Sequence, residues 1–347
     1  MGFKSMVAPA SRKPFSQPTR AQEISFVSYQ ISSTSGVVLR NHSATLRPNT
    51  LQGKAHCPAN AQQLLKRNFH ASTLLLVGAT LQSLLVLAIP RFYAFLPSIL
   101  ILLYRFSDTL LITFDFKPNP YTHDSMTKKF STVLPDTEGN LPSQIDPGEQ
   151  KLAIVLLGMK FHHPLGLFSP YSQNMNEWST RMYAELEANR DCNGYLGQSY
   201  YNNEDVQGNI ELVMISFWRS KEDIVAFSQS KLHLDAWKWW NELSSMKGGK
   251  LRHIGINHEI LEAPAGHWES IYLNSAPLRL AATTFKHTTE EGEVQWVSPV
   301  VAARGPLANS DGRLGWPVKG GDDKGGGSEG SGDEYDSRPY GKAQRTA

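Results

Sequence analysis

Ile210-Glu-Leu-Val-Met-Ile-Ser-Phe-Trp-Arg219, followed at once by Ser220-Lys-Glu-Asp223, decides the fold class of this chain. Its first ten residues are apolar on both alternating faces: Val213, Ile215 and Phe217 on one, Leu212, Met214 and Trp218 on the other. That is the pattern of a strand covered on both sides. Ser220-x-x-Asp223 is a helix-start signature, a hydroxyl cap with an acid three residues on. It opens a helical region through Ile224, Phe227, Leu234, Trp237 and Trp240. His253–Glu262 then alternates through Ile254, Ile256, His258 and Ile260, as a strand does. After the Ala-Pro-Ala-Gly turn, Trp268–Leu273 is expected to pair back on it.

Upstream, Lys151–Met159 (KLAIVLLGM) reads as another strand buried on both faces. Ser169-Pro170 gives a cap followed by proline at the first helical position. Met175, Trp178, Met182 and Leu186 form an amphipathic stripe behind it, and Asn193-Gly194 ends the helix. Tyr195–Tyr201 is a short strand, and Asn202 to Gly208 a polar turn. The order is therefore β-α-β-β-α-β, the ferredoxin-like arrangement of the α+β class, with both helices on one face of a mainly antiparallel sheet. A strand apolar on both faces needs a second cover. Another copy of the sheet supplies one in a dimeric α+β barrel, so a homodimer is expected.

The flanks are of different character. Residues 1–70 carry nine Lys and Arg against one acid, Glu23, and are rich in Ser, Thr, Pro and Gln. Such a stretch buries too little surface to offset the entropy of ordering it, and disorder is expected. A transit peptide and an over-extended start are the other readings of it. Ser72–Ile89 is an uncharged run of 18 residues, and Phe92–Tyr104 adds a second of 13. The first just reaches the length of a bilayer core. The second is short unless it continues past Arg105 and Asp108 into LLITF. Residues 72–104 are thus a hydrophobic membrane segment, the other reading being a buried core helix. Lys66 and Arg67 before it, with Lys117, Lys128 and Lys129 after, favour an internal membrane such as the endoplasmic reticulum, with the domain facing the cytosol. Mitochondrial targeting is the weaker reading. Residues 105–150 read as a Pro-rich connector over the surface, 151–285 as the folded domain, and 304–347 as a Gly/acid-rich disordered tail.

Composition removes several function classes. The net charge of +2 gives no case for nucleic-acid binding. Two cysteines, Cys57 and Cys192, make neither a disulfide scaffold nor a zinc cluster. There is no G-x-G-x-x-G after a strand, so no dinucleotide fold is indicated. His233-x-Asp235 has the spacing of two non-haem iron ligands, with His287 a third on paper, but it falls in a helical stretch. No metal site is expected from it.

The wording of the motifs adds to their period. Phe161-His-His-Pro-Leu-Gly166, Phe217-Trp-Arg-Ser-Lys-Glu-Asp223, His233-Leu-Asp-Ala-Trp-Lys-Trp-Trp240, Ile254-Gly-Ile-Asn-His-Glu259 and Gly266-His-Trp-Glu-Ser-Ile-Tyr272 are distinctive. Over roughly residues 110–285 the chain resembles a fungal and bacterial family of small monooxygenase-like proteins, one described member of which acts in fumagillin biosynthesis. That family is related to the antibiotic-biosynthesis monooxygenases of dimeric α+β barrel fold. The resemblance implies a monooxygenase acting with O2 on a hydrophobic secondary metabolite, often with no cofactor. In that chemistry a deprotonated substrate donates the electrons, and the protein supplies an apolar pocket, a base and a few donors.

Candidate parts are present. His258 is the first choice of catalytic base, followed by His163 and His162 at the end of the first strand. Trp218, Trp237 and Trp240 are candidate pocket walls, and Tyr200 and Asn257 candidate hydrogen-bond donors. Each also has a structural reading: tryptophans at helical spacing pack cores, His258 among isoleucines suits a satisfied core position, and His233 suits a cap. Two other functions stay open at this point, a haem-binding barrel enzyme and a non-catalytic binding protein for a lipophilic intermediate.

Overall fold

The computed structural model describes residues 5–7, 9, 68–142, 151–205 and 208–316. The bulk of the basic N-terminal stretch and the Gly/acid-rich run after 316 lie outside the described residues.

Four strands form the central sheet: β2 (Lys151–Phe161), β3 (Tyr195–Glu204), β4 (Ile210–Trp218) and β5 (Ile254–Pro264). Their order is β3-β4-β2-β5, and every neighbouring pair is antiparallel. This is the ferredoxin-like order that the apolar periodicity predicts. The numbering β1 is kept for a three-residue strand upstream, Phe130–Thr132.

Helix α3 (Ser172–Ala188) follows β2. It starts two residues after Pro170, because Tyr171 turns the chain into the left-handed region at φ 64°. Ser169 bonds the Ser172 hydroxyl (2.6 Å) instead of capping the helix. The helical region after β4 is two helices, α4 (Lys221–Ser228) and α5 (Lys231–Ser245), and each has a serine cap. Ser220 Oγ accepts from Asp223 N and Ser230 Oγ from His233 N. The second serine starts a new helix, which sets Trp239 and Trp240 against the sheet.

The helix side of the core divides into two clusters. At one end Phe161, Ile210 and Ile254 pack under Met175, Trp239, Trp240 and Leu243. At the other, Ala153, Tyr195 and Trp218 pack under Leu186, Ile224 and Phe227. The second face of the sheet is covered over one half only: Leu134, Leu280, Phe285 and Trp268 lie against Leu152, Leu196 and Phe217. Ile154 and Ile215 pack at the border of this cover, while Leu156 and Val213 are half-buried beyond it and Leu261 is 51% exposed on the same face.

Several sequence expectations are corrected here. The stretch 105–150 is more than a surface connector: its first nine residues complete a helix, and Phe130, Val133 and Leu134 are buried. Trp268–Leu273 does not pair with β5. The turn at Gly266 (φ 76°) sends it to β1, where Tyr272 pairs with Phe130 and their rings stack 4.8 Å apart. Strands β6 (Phe285–Thr288), β7 (Val294–Val297) and β8 (Val300–Ala302) extend the domain past 285. β8 pairs with β1, and Ser5 bridges to Val301, so the extreme N-terminus is not wholly unstructured. Residues 305–313 also pack: Leu307 is fully buried, and Arg313 Nε bonds Glu269 (2.8 Å).

The hydrophobic segment forms two helices, α1 (Ala71–Ala88) and α2 (Arg91–Thr113). α2 does run past Arg105 and Asp108, and it reaches 23 residues. At 1.5 Å per residue the two are about 27 and 34 Å long, against a bilayer core of about 30 Å. Neither lies in a core: their leucines and phenylalanines point outward, and only Ala94 is buried. A core-helix reading is therefore excluded. The one amide in the hairpin is satisfied internally, Gln82 donating to Ala94 O (3.0 Å) and accepting from Ser98 Oγ (3.2 Å). A hydrocarbon environment demands that of polar groups.

Candidate functional site

Between the two helix-side clusters the sheet carries one row that neither includes. The registers place Tyr200 opposite Met214, Met214 opposite Leu157, and Leu157 opposite His258. Direct cross-strand partners share a face, so all four point toward the helices. Leu157 and Met214 stand on the two central strands, yet they are only half-buried. The helix layer thus leaves this row partly open. At about 4.8 Å per strand, Tyr200 and His258 stand about 14 Å apart at its ends.

Each end has a helical partner. Near Tyr200, Gln198 Nε2 donates to the phenol oxygen (2.5 Å), while Tyr183 and Glu187 of α3 lie close enough to act on its charge. Burial, then the Tyr183 neighbour, pushes the Tyr200 phenol well above its ordinary range, so it is a donor and not an anion. Near His258, α5 brings His233, whose ring stands edge-on to Phe227 with centroids 5.7 Å apart. Burial lowers the His233 pKa; the Ser228 carbonyl opposes this, and His258 adds to it. His233 Nδ1 is buried without a hydrogen-bond partner. The row therefore offers an apolar floor, a neutral phenol at one end and a pair of imidazoles at the other.

A second location is a cleft of about 460 Å³ at the far end of the sheet, where β2 and the β3–β4 hairpin meet the start of α1. Its walls include His162, His163, His70, Glu204, Thr73 and Phe69. His163 Nδ1 accepts from Leu165 N (3.1 Å) and shapes the loop. His253, beside it at 5.3 Å between centroids, bonds Pro170 O at 2.8 Å.

The other candidates scatter. Trp218 is 2% exposed at the Ala153 end, where its Nε1 donates to Ser216 Oγ (2.9 Å). Trp240 packs at the Phe161 end, and Trp237 is 54% exposed on the outside of α5. These tryptophans do not wall one pocket, because the helical stripe fixes a face but not a position along the strand. Asn257 neighbours His258 in sequence and so points to the opposite face, where it reaches Glu211 (3.4 Å). Asp235 is held by Lys231 (2.6 Å) on the surface, away from the His233 ring. Among the described residues no group of three His, Cys, Asp or Glu side chains has the geometry to hold a metal ion. His70 and Glu204 are the lining residues that sequence reasoning missed, since neither carries a motif, and His233 enters that reasoning only as a metal ligand or a cap.

Residues 152–280 match the family model described as Monooxygenase af470-like. Over those residues the chain is similar to that family. Over 254 residues the chain is 28% identical to monooxygenase af470 of Aspergillus fumigatus, across 72% of this chain and 89% of that one. Among solved structures it is similar to an aldoxime dehydratase in complex with butyraldoxime, at 17% identity and TM-score 0.28, covering 45% of this chain and 36% of that protein. It is also similar to Rv0793 of Mycobacterium tuberculosis, at 18% identity and TM-score 0.22, covering 32% of this chain and 94% of the other. This likeness supports a monooxygenase-type activity for the matched domain. The open row, with both of its titratable ends, lies wholly within the matched residues.

Proposed function

We propose that this protein is a membrane-associated monooxygenase that acts with O2 on a hydrophobic, conjugated secondary metabolite. The row Tyr200–Met214–Leu157–His258 carries this reading. An imidazole at one end can take a proton from an activated methylene. A protonated phenol about 14 Å away across three strand spacings can hold an oxygen that receives the charge at the other end of an extended substrate. Fused-ring ketones conduct charge in that way. The enolate then supplies the electrons, with no external reductant. Both C–H bonds of the methylene and the O–O bond break, one oxygen atom becomes the new carbonyl, and the other leaves as water. Leu157 and Met214 form the apolar floor on which the reacting carbon rests.

His258 is the base in this scheme, and His233, whose pKa is lowered chiefly by burial, lies close enough to feel its charge. The exposed hairpin α1–α2 holds the domain on an internal membrane, with the basic side facing the cytosol. Two copies join through the uncovered half of the second sheet face, where Leu156 and Val213 await a cover.

The test uses the full-length protein in lipid nanodiscs, an oxygen electrode and an anthrone as probe. One O2 consumed per ketone formed is the expected stoichiometry. His258→Ala should lower kcat by about 10²-fold or more with binding retained, and unchanged turnover would remove His258 from the mechanism. Binding of the probe without oxygen uptake would make the domain a carrier. A Soret band in the purified protein would overturn the substrate-only electron balance.

A further inference from the structure

The foot of the hydrophobic hairpin is bound to the sheet domain by three consecutive residues. Asn68, 8% exposed, donates its amide to Leu165 O (2.8 Å) and accepts from Leu167 N (2.8 Å). Phe69 stacks on Phe168, with centroids 6.5 Å apart. His70 packs so tightly on Gly208 that a Cβ there would lie 2.6 Å from its Cε1. Helix α1 begins at the next residue, Ala71. At 1.5 Å per residue, whatever touches 68–70 lies within about 5 Å of its first turn. The Leu165–Phe168 loop is therefore level with the end of the apolar helix. Leu165 and Phe168 are 46% and 49% exposed there. Phe114 and Phe116 are likewise exposed where α2 ends. Exposed apolar and aromatic side chains around the base of a hairpin suit the membrane–water boundary.

The cleft of about 460 Å³ opens between that loop and α1. Three imidazoles (His70, His162, His163) face one carboxylate, Glu204, on its walls, and Phe69 and Pro164 supply an apolar side. Thr73 on the helix wall shares a helical face with Val77 and Thr80, at i+4 and i+7. These three residues continue the line of the chamber wall along α1.

We propose that this cleft binds the acidic head of a single-chain amphiphile, a carboxylate on a long apolar tail, while the tail lies along α1 in the membrane. The proposal rests on the membrane association put forward under the proposed function and adds a second site, separate from the row that carries the chemistry. The imidazole N–H groups on its walls are the donors for a carboxylate, since the Asn68 and Asn209 amides are held by Leu165 O and Asp205. The chamber is of a size to hold a head group and the first carbons, not a whole lipid.

The probe is palmitic acid with a diazirine close to its carboxyl, photolysed with the full-length protein in phosphatidylcholine nanodiscs. Labelling should fall on residues 69–73 and 162–168 and be prevented by excess palmitate but not by acetate. Thr73→Trp, which fills the chamber, and His162→Ala, which removes a donor, should each cut labelling about tenfold, the effect of losing one hydrogen bond to a charged group. Label spread over Leu74–Ala88 and Phe92–Thr113 and indifferent to Thr73→Trp would overturn the proposal. Failure of the membrane reading shows differently: the full chain would then be recovered in the soluble fraction without detergent. Absence of label from a protein that does sediment with membranes removes only the amphiphile site.

Discussion

His233 is pulled in two directions by its surroundings. Its main chain is needed by the Ser230 cap, which fixes the first turn of α5, while its ring is pressed edge-on against Phe227 and feels the charge of His258. The resulting depression of its pKa has a defined sign. The unfolded chain takes up the proton first as pH falls through about 6.5, so the stability from the neutral ring is complete above that value and declines below it. The urea midpoint should drop between pH 7.5 and 5.5, and His233→Gln should shrink that drop; an unaltered difference would place the sensitivity elsewhere. Tyr200 is shifted the other way and keeps its proton throughout that range. As an anion-holding donor its loss in Tyr200→Phe should lower kcat by about 10²-fold, with KM little changed. A parallel fall in thermal stability large enough to explain the loss would assign it a packing role. Strand alternation put His258 on the same face as Ile254, Ile256 and Ile260 in the sequence, but the face of Tyr200 needed the strand register. It could not show that Trp218 and Trp240 sit at opposite ends of the sheet, since that depends on how the helices cross it.

At the scale of elements, the clearest signals were those with a local physical cause. Ser220-x-x-Asp223 caps α4 as read, and the strand at 210–218 is held on both sides by β3 and β2. Ser220→Ala and Ser230→Ala should each cost about 1 kcal/mol, a lowering of Tm by about 2–4 °C in a domain of this size. Calorimetry of the single variants and of the pair checks this. The caps belong to different helices, so the losses should add; strong non-additivity would mean that α4 and α5 melt as one unit. What the sequence hid were the shortest elements. β1 and β8 have three residues each, too few for any period to show. Their pairing is set by the distant contacts of Phe130 with Tyr272 and Val300. The same holds for Asn68, whose two bonds to the β2–α3 loop have no counterpart in any local pattern.

For the whole molecule, the uncovered half of the sheet is the feature that asks for a partner. The C-terminal segment covers the Leu152 end with Leu134, Leu280 and Phe285, and stops there. Had a second copy supplied the entire cover, as the sequence pattern alone would have it, these residues would have no place on the sheet. The interface left to a partner is therefore about half the face, with Leu156 and Val213 near its middle and the Lys160–Asp205 pair (2.6 Å) at its rim. A patch of that kind gives an apolar centre bounded by charge, the usual anatomy of a subunit contact. Removing residues 1–115 takes away both helices and Asn68, and leaves Leu167 N without its acceptor at a cost of about 1–3 kcal/mol. The truncated domain should still fold and leave the membrane fraction. Light scattering should then report a dimer, and Leu156→Arg should convert it to a folded monomer. The substitution faces away from the helices and from the Tyr200–His258 row, so a circular dichroism spectrum unlike that of the parent would point to misfolding. A dimer that survives Leu156→Arg intact would show that the copies meet elsewhere. The free edge of β5, exposed from Ile256 to Leu261, would then be the next surface to test.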